Sequence, residues 1–169
     1  AGELLEDRTS PDHDAIVSDD ECDPRSLVSR MRAEVGARRL AARVVVVSGI
    51  APLAATGDGI VQVSAGRRVS PADVERTVAH EIQGHLLPAF AARARPIGIF
   101  ALGTIHGSDD QEGRAVAIER RLGHLRPLRM RTLALRHIAA RAAHAGDEFV
   151  PLVRSLREHG ALPRESIRL

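Results

Sequence analysis

The sequence contains no Trp, no Tyr and only three Phe among its 169 residues. Its core must therefore be built from Leu, Val, Ile and Ala, and aromatic surfaces that stack on nucleic-acid bases are disfavoured. A chain of this length, 44% apolar and 27% charged, is the size of one globular domain. The single cysteine, Cys22, excludes an internal disulfide framework and a cysteine-rich zinc site. No run of about 18 uncharged apolar residues is present, so we predict no transmembrane helix.

Charge is distributed unevenly along the chain. Residues 1–23 contain nine acidic residues and one Arg, whereas residues 24–169 contain the remaining basic residues, all of them Arg. We interpret residues 1–23 as an acidic flexible arm and residues 24–169 as a single globular domain. Charge is the only feature that favours nucleic acid, so we expect neither a nucleic acid nor a membrane as partner. We expect a cytoplasmic protein, although a signal peptide that had already been removed would leave no trace.

Capping and turn signals divide the domain into helices and strands. N-cap residues, first-turn prolines and terminal glycines predict helices over residues 24–40, 71–87, 109–122, 127–145 and 147–159. The β-branched run Arg43–Ser48 predicts a buried strand. The alternating segment Gly59–Ser64 predicts a half-buried strand at a sheet edge, where an extended peptide could pair. We therefore expect an α/β (α+β) fold, with a small sheet packed against several helices.

The segment Val78–His85, VAHEIQGH, places two histidines and a glutamate in the helix predicted over residues 71–87. In the H-E-x-x-H pattern the histidines lie about 40° apart around the helix and reach one zinc ion. His80 and His85 are five residues apart, which is about 140° on a regular helix. They can reach one metal only if the helix is locally widened, as by a π-bulge. Gly84 is the residue that tolerates such a distortion.

A hydrolytic zinc site needs three protein ligands and an open position for water. His80 and His85 supply two ligands, and Glu81 beside them can act as general base for the metal-bound water. The best candidate for the third ligand is Glu112, in the first turn of the next helix, where the helix dipole favours a carboxylate. Glu119, two turns further on, could fix the tautomer of one histidine.

These segments also carry a family resemblance. HEIQGH followed by DDQEGRAVAIE resembles bacterial proteins named after a QEGLA motif and associated with flavohaemoglobin expression, which are related to the microtubule-associated tyrosine carboxypeptidases of animals. The resemblance extends over about residues 43–141. It implies a zincin-like zinc metallopeptidase fold, with Zn²⁺ held by His80, His85 and Glu112 and with Glu81 as the catalytic base.

The resemblance further implies a carboxypeptidase-like enzyme that hydrolyses a peptide bond at the C-terminus of a peptide or protein. The animal relatives remove a C-terminal tyrosine from α-tubulin, a substrate that depends on surfaces not matched here. Arg114 stands where the QEGLA motif has Leu. Longer family members continue beyond the position of Leu169, so the domain is either a compact variant or truncated at its C-terminus.

A carboxypeptidase needs a cation for the terminal carboxylate of its substrate and a donor for the developing oxyanion. Since the chain has no Tyr, an Arg or His must supply the donor. Arg95 and Arg120 are the candidate substrate-binding residues, and Arg93, His106 and His124 are weaker candidates for these two tasks. Arg93 and Arg95 can also be solvated loop residues, which is the commoner role of such arginines.

Two functions of other classes remain open. A zinc-binding regulatory or scaffold protein without turnover would keep both its metal and its biological effect in the variant Glu81→Ala. An Arg-rich nucleic-acid-binding protein would show salt-dependent affinity that removal of the metal leaves unchanged.

Overall fold

The structure is a computed structural model that describes residues 14–102 and 107–161. The chain divides into two compact units, Ala1–Leu122 and Gly123–Leu169. Most of the predicted acidic arm, residues 1–13, lies outside the described residues. Among the helices that the structure describes, none is long and apolar enough to cross a membrane.

The first unit contains a three-stranded mixed sheet with the strand order β2–β4–β3. Strand β2, Arg43–Val47, runs parallel to β4, Ile60–Ser64, and strand β3, Ala54–Gly57, pairs antiparallel with the other side of β4. Strand β4 is therefore central, and its Val61 and Val63 are completely buried.

The two strands predicted from the sequence exchange roles in the structure. The prediction that Gly59–Ser64 lies at a sheet edge and could accept a peptide is wrong, because β3 pairs with the side expected to be open. The run Arg43–Ser48, predicted as buried, is an edge strand whose Val46 is 38% exposed. Strand β3 has no β-branched run, but the turn Asp58–Gly59 could have revealed it. Both turn residues have positive φ, as a two-residue hairpin turn requires.

Helices and a second, two-stranded sheet complete the first unit. Their bounds are β1 Ile16–Val17, α1 Leu27–Ala37, β5 Arg68–Val69, α2 Pro71–Val78, a π-helical segment Ala79–Leu86, α3 Leu87–Arg93, α4 Ile99–Leu102 and α5 Gly107–Arg121. Helix α2 begins as predicted, with the Ser70 hydroxyl accepting a hydrogen bond from the Asp73 N–H at 3.1 Å and with Pro71 in the first turn. The helix predicted over residues 24–40 forms over Leu27–Ala37, and the other predicted helices begin within two residues of their expected positions.

One aliphatic core joins the sheet to the helices of this unit. Val74, Val78, Ile82 and Leu86 recur every four residues along α2 and the π-helical segment, and all four are buried in this core. They pack with residues of α1 and the sheet, namely Leu27, Val28, Met31, Val35, Ala54, Val61, Val63 and Val69. The core is aliphatic apart from one methionine, as the shortage of aromatic residues predicts.

Part of the segment interpreted as an arm is packed against this unit. Ile16 and Val17 form β1, which pairs antiparallel with β5. The buried Ser18 hydroxyl donates to the Ser64 carbonyl at 2.6 Å and accepts from the Arg67 N–H at 3.1 Å. Residues 16–18 are therefore held by backbone pairing and by a buried side chain.

The second unit is helical in its described part. Helices α6, Pro127–His144, and α7, Phe149–Glu158, enclose a small core of Leu135, Ala139, Leu156 and Ala161. Pro and Gly signals at their ends predict both helices. The mixed α+β architecture, with a small sheet against helices, is confirmed, and its likeness to zincins stays a prediction.

Candidate metal centre

The two histidines lie on a π-helical segment, Ala79–Leu86, that continues α2 without a break. The N–H of Leu87 donates to the Ile82 carbonyl, five residues back, which is the hydrogen-bond spacing of a π-helix. This spacing brings residues five apart onto one face, so the predicted local widening of the helix is confirmed. The helical run also continues past Pro88 to Arg93, beyond its predicted end at Leu87.

His80, His85 and Glu112 converge on one point. The two Nε2 atoms of the histidines are 3.2 Å apart. The nearest Glu112 carboxylate oxygens lie 3.4 Å from His80 Nε2 and 3.2 Å from His85 Nε2. One ligand atom from each residue lies within 4.8 Å of the others, an arrangement that could hold a metal ion.

The geometry of these three residues suits a tetrahedral zinc ion. Ligand atoms about 2.0–2.1 Å from a tetrahedral zinc lie about 3.3 Å from one another. The two histidine Nε2 atoms, 3.2 Å apart, are close to that separation, and each lies 3.2–3.4 Å from a different oxygen of the Glu112 carboxylate. Two imidazoles and a carboxylate are also among the ligand sets found in zinc hydrolases. The residues present therefore fit the ion that the sequence predicts.

The site is buried on its histidine side and open on its glutamate side. The side chains of His80 and His85 are 11% and 12% exposed, whereas that of Glu112 is 63% exposed. Water and a substrate can therefore reach the point of convergence from the α5 side.

Glu112 is in the second turn of its helix, which corrects the prediction that it lies in the first. Helix α5 begins at Gly107, and its first-turn acidic residues are Asp109 and Asp110. The helix dipole acts mainly within the first turn, so it contributes little at Glu112. The histidines instead favour the ionised carboxylate, since their hydrogen bonds hold the pKa of Glu112 well below its usual range.

Glu119 contacts His80 at Nδ1, the ring nitrogen that faces away from the site, as predicted. Its Oε1 lies 2.7 Å from His80 Nδ1, and the side chain is completely buried. When His80 Nδ1–H donates to this carboxylate, the lone pair of Nε2 is left for a metal.

The proton affinities of the histidines reflect these contacts. Burial lowers the pKa of His80, but hydrogen bonds with Glu112 and Glu119 outweigh it and raise the pKa to about 9. The pKa of His85 is raised mainly by its hydrogen bond with Glu112. Without a metal, His80 and His85 therefore retain protons that a bound cation would displace.

Glu81 lies beside this cluster. It follows His80 in the π-helical segment and is 6% exposed. Its negative charge contributes to the raised pKa of both His80 and His85, so the carboxylate is electrostatically coupled to the site.

The candidate substrate-binding residues are less clearly placed. Arg95, in the turn after α3, and Arg120, near the end of α5, are both exposed. Neither forms an ion pair within residues 14–102 and 107–161. Arg93 pairs with Asp58 in the β3–β4 turn at 3.2 Å. His106 lies outside the described residues, and His124 belongs to the second unit.

Comparison with known proteins identifies the family of this chain. The family model described as microtubule-associated tyrosine carboxypeptidase matches residues 1–169, the whole chain. No curated protein and no solved structure matches the chain significantly. The chain therefore belongs to the microtubule-associated tyrosine carboxypeptidase family, which implies a peptidase activity.

Proposed function

We propose that this protein is a zinc-dependent metallopeptidase that acts on the C-terminus of a peptide or protein, as its family name suggests. The observation that carries the proposal is the convergence of His80, His85 and Glu112, whose ligand atoms lie within 4.8 Å of one another and whose donor types are those of zinc hydrolases. We expect the enzyme to act in the cytoplasm.

The proposed roles follow from the position of each side chain. His80, His85 and Glu112 would hold the ion, and the exposed side of Glu112 leaves room for water and substrate. A bound zinc ion would polarise the scissile carbonyl and lower the pKa of water. Glu81 accepts the proton from the attacking water and gives it to the amide nitrogen as the C–N bond breaks. Its burial beside the histidines keeps it apart from bulk solvent.

Arg95 and Arg120 are proposed to bind the terminal carboxylate of the substrate. Both are exposed cations: Arg120 lies on α5, which carries Glu112, and Arg95 follows α3, which continues the helical run of His80 and His85. Loss of a carboxylate-binding cation weakens substrate binding, so Arg95→Ala or Arg120→Ala should raise KM while zinc content stays unchanged. Arg39→Ala, at the exposed end of α1, is a matched control. KM values equal to that of the wild type in both variants would remove these two residues from the proposal.

The metal site is tested by elemental mass spectrometry of protein purified without added metal. We expect about one zinc per wild-type chain, and its loss or strong weakening in His85→Ala and Glu112→Ala. Asp110→Ala, two residues before Glu112 and also exposed, and His144→Ala in the second unit should keep their zinc. A wild-type protein that neither contains zinc nor takes it up would end the enzyme proposal.

Catalysis is tested with peptides that differ only at their C-terminus. One peptide ends in a free Tyr, a second ends in another free residue and a third ends in an amidated Tyr. A tyrosine carboxypeptidase cleaves only the first, a general carboxypeptidase cleaves the first two, and an endopeptidase also cleaves the third. Glu81→Gln should keep its zinc and lose about 10²–10⁴-fold in turnover, the usual contribution of a general base. Zinc binding with no hydrolysis of any peptide would favour the regulatory or scaffold function instead.

A further inference from the structure

We propose that Arg76 is a positioning residue for the metal site, which it reaches through Glu119 and His80. This inference rests on the proposed zinc site and adds a residue that touches neither metal nor substrate. Arg76 lies in α2, one helical turn before His80.

A continuous series of polar contacts leads from Arg76 to the ligand. Arg76 Nη1 lies 3.8 Å from Glu119 Oε1. The same carboxylate oxygen lies 2.7 Å from His80 Nδ1. On the opposite side of the imidazole, His80 Nε2 faces the point where the ligand atoms converge.

The other side of the Arg76 guanidinium is held at the start of α2. Its Nη2 and Nε donate to Asp73 Oδ1 at 3.2 and 3.4 Å. The Ser70 hydroxyl, which caps the helix, donates to Asp73 Oδ2 at 2.8 Å. The guanidinium is therefore fixed between Asp73 and Glu119, and its side chain is only 14% exposed.

Burial explains why Glu119 needs such a neighbour. The Glu119 side chain is completely buried, and a buried carboxylate is costly unless an opposite charge and hydrogen bonds compensate it. His80 binds a metal as a neutral imidazole, so it does not supply that charge when the metal is present. Arg76 supplies a positive charge that does not depend on occupancy of the metal site.

The consequence is a preorganised ligand. With Glu119 held in place, His80 keeps Nδ1–H as donor to the carboxylate and presents its Nε2 lone pair to the metal. Without Arg76, the buried carboxylate would lose its fixed position, and the His80 imidazole would lose its fixed orientation.

The test measures zinc dissociation constants by competition with a chromogenic chelator, in the full-length protein at one pH. We expect zinc binding about tenfold weaker in Arg76→Met and Arg76→Gln, and within threefold of the wild type in Arg76→Lys, which keeps the charge. Arg30→Met is the matched control. Arg30, on α1, forms an ion pair at 2.8 Å with Glu75, which precedes Arg76 in α2, but this pair lies on an exposed surface. Its zinc affinity should equal that of the wild type.

A double-mutant cycle with Glu119→Gln separates this role from a general effect on folding. Glu119→Gln alone should weaken zinc binding about 10–100-fold, and adding Arg76→Met should cause no further loss. Equal zinc affinity in Arg76→Met and Arg30→Met, or losses that multiply in the double variant, would overturn the inference. If Arg76→Met does not fold, judged by circular dichroism, the Arg76→Gln and Arg76→Lys pair makes the same comparison. A wild type without zinc affinity would overturn the proposed function first, and this inference with it.

Discussion

Gly84 of the π-helical segment and Ala115 of α5 are in direct contact, with no space for a side chain at Gly84. A Cβ atom there would lie 2.5 Å from Ala115 Cβ and 2.9 Å from Ala115 Cα. Separations this short displace the neighbouring backbone, so the two helical segments can approach only because residue 84 is glycine. Gly84 thus brings the segment with His80 and His85 close to the helix with Glu112.

This contact predicts the effect of Gly84→Ala. We expect it to lower the free energy of unfolding by about 1–3 kcal/mol, as overpacked cores do. It should also weaken zinc binding about tenfold or more, because Glu112 would be displaced from the histidines. Denaturant unfolding and zinc competition measure the two effects.

Two further variants show whether the contact between Gly84 and Ala115 causes the losses of stability and zinc affinity expected in Gly84→Ala. Gly113→Ala should be neutral or stabilise the protein by up to about 1 kcal/mol, because nothing lies within 4 Å of a Cβ at that helical position. Ala115→Gly added to Gly84→Ala should recover part of the loss, since it removes the methyl group of Ala115 but leaves the backbone of α5 in the way. Unchanged stability and affinity in Gly84→Ala would show that α5 can shift without consequence.

Zinc affinity should rise with pH. His80, whose pKa is about 9 without metal, and His85, whose pKa is also raised, must lose their protons before they bind zinc. The apparent association constant should therefore rise about tenfold per pH unit for each proton displaced, and level off above pH 9. Calorimetry in buffers of different ionisation enthalpy counts the protons released. Zinc binding without proton release at pH 7 would contradict this prediction.

The metal-free protein should lose stability in the same pH range. The pKa of His80 is raised from 6.5 to about 9 on folding, so its contribution to stability is complete below pH 6.5 and is lost as the pH rises through 9. Thermal unfolding between pH 6 and 10 with a chelator measures this loss. Saturating zinc should abolish it, because the bound imidazole carries no proton at Nε2. Equal pH dependence with and without zinc would rule out His80 as its source.

Thr77 offers a stabilising substitution close to the site. Its buried hydroxyl oxygen has no hydrogen-bond partner in the described part of the chain. Thr77→Val keeps the shape and removes the desolvated hydroxyl, so it should raise the free energy of unfolding by about 1 kcal/mol. Ser18→Ala is the contrasting variant, because it removes two hydrogen bonds from a buried hydroxyl and should cost about 1–3 kcal/mol. A destabilising Thr77→Val would indicate that the hydroxyl is bonded in solution.

Local patterns are sufficient to predict much of the site. Ser70 and Pro71 specify where the helix begins, and the spacing of His80 and His85 requires a wider helix if both bind one metal. These two features depend on neighbours within one or two helical turns, so sequence spacing describes them well. The pairing of Glu119 with a histidine joins two helices, and it is predictable only once Glu112 is taken as a ligand, because Glu119 lies two turns beyond it on the same helix.

Other features are not predicted from these patterns. The exchange of edge and centre between the two predicted strands follows from β3, whose Ala and Gly residues give no strand signal and which only the Asp58–Gly59 turn indicates. The sequence predicts that Gly84 permits the distortion of the helix. The structure adds that residue 84 must be glycine because Ala115 leaves no space for a side chain there. The role of Arg76 depends on a carboxylate from another helix, and no spacing within α2 reveals it.

The ligands lie at both ends of residues 86–111, with the histidines before this stretch and Glu112 after it. An ion bound to all three closes the stretch into a loop, as a covalent crosslink would, and limits how far its ends can separate. Within it, α4 exposes Ile99, Phe100 and Leu102 by 65%, 57% and 84%. We therefore expect a protease to cleave α4 faster in the metal-free protein than in the zinc-bound protein.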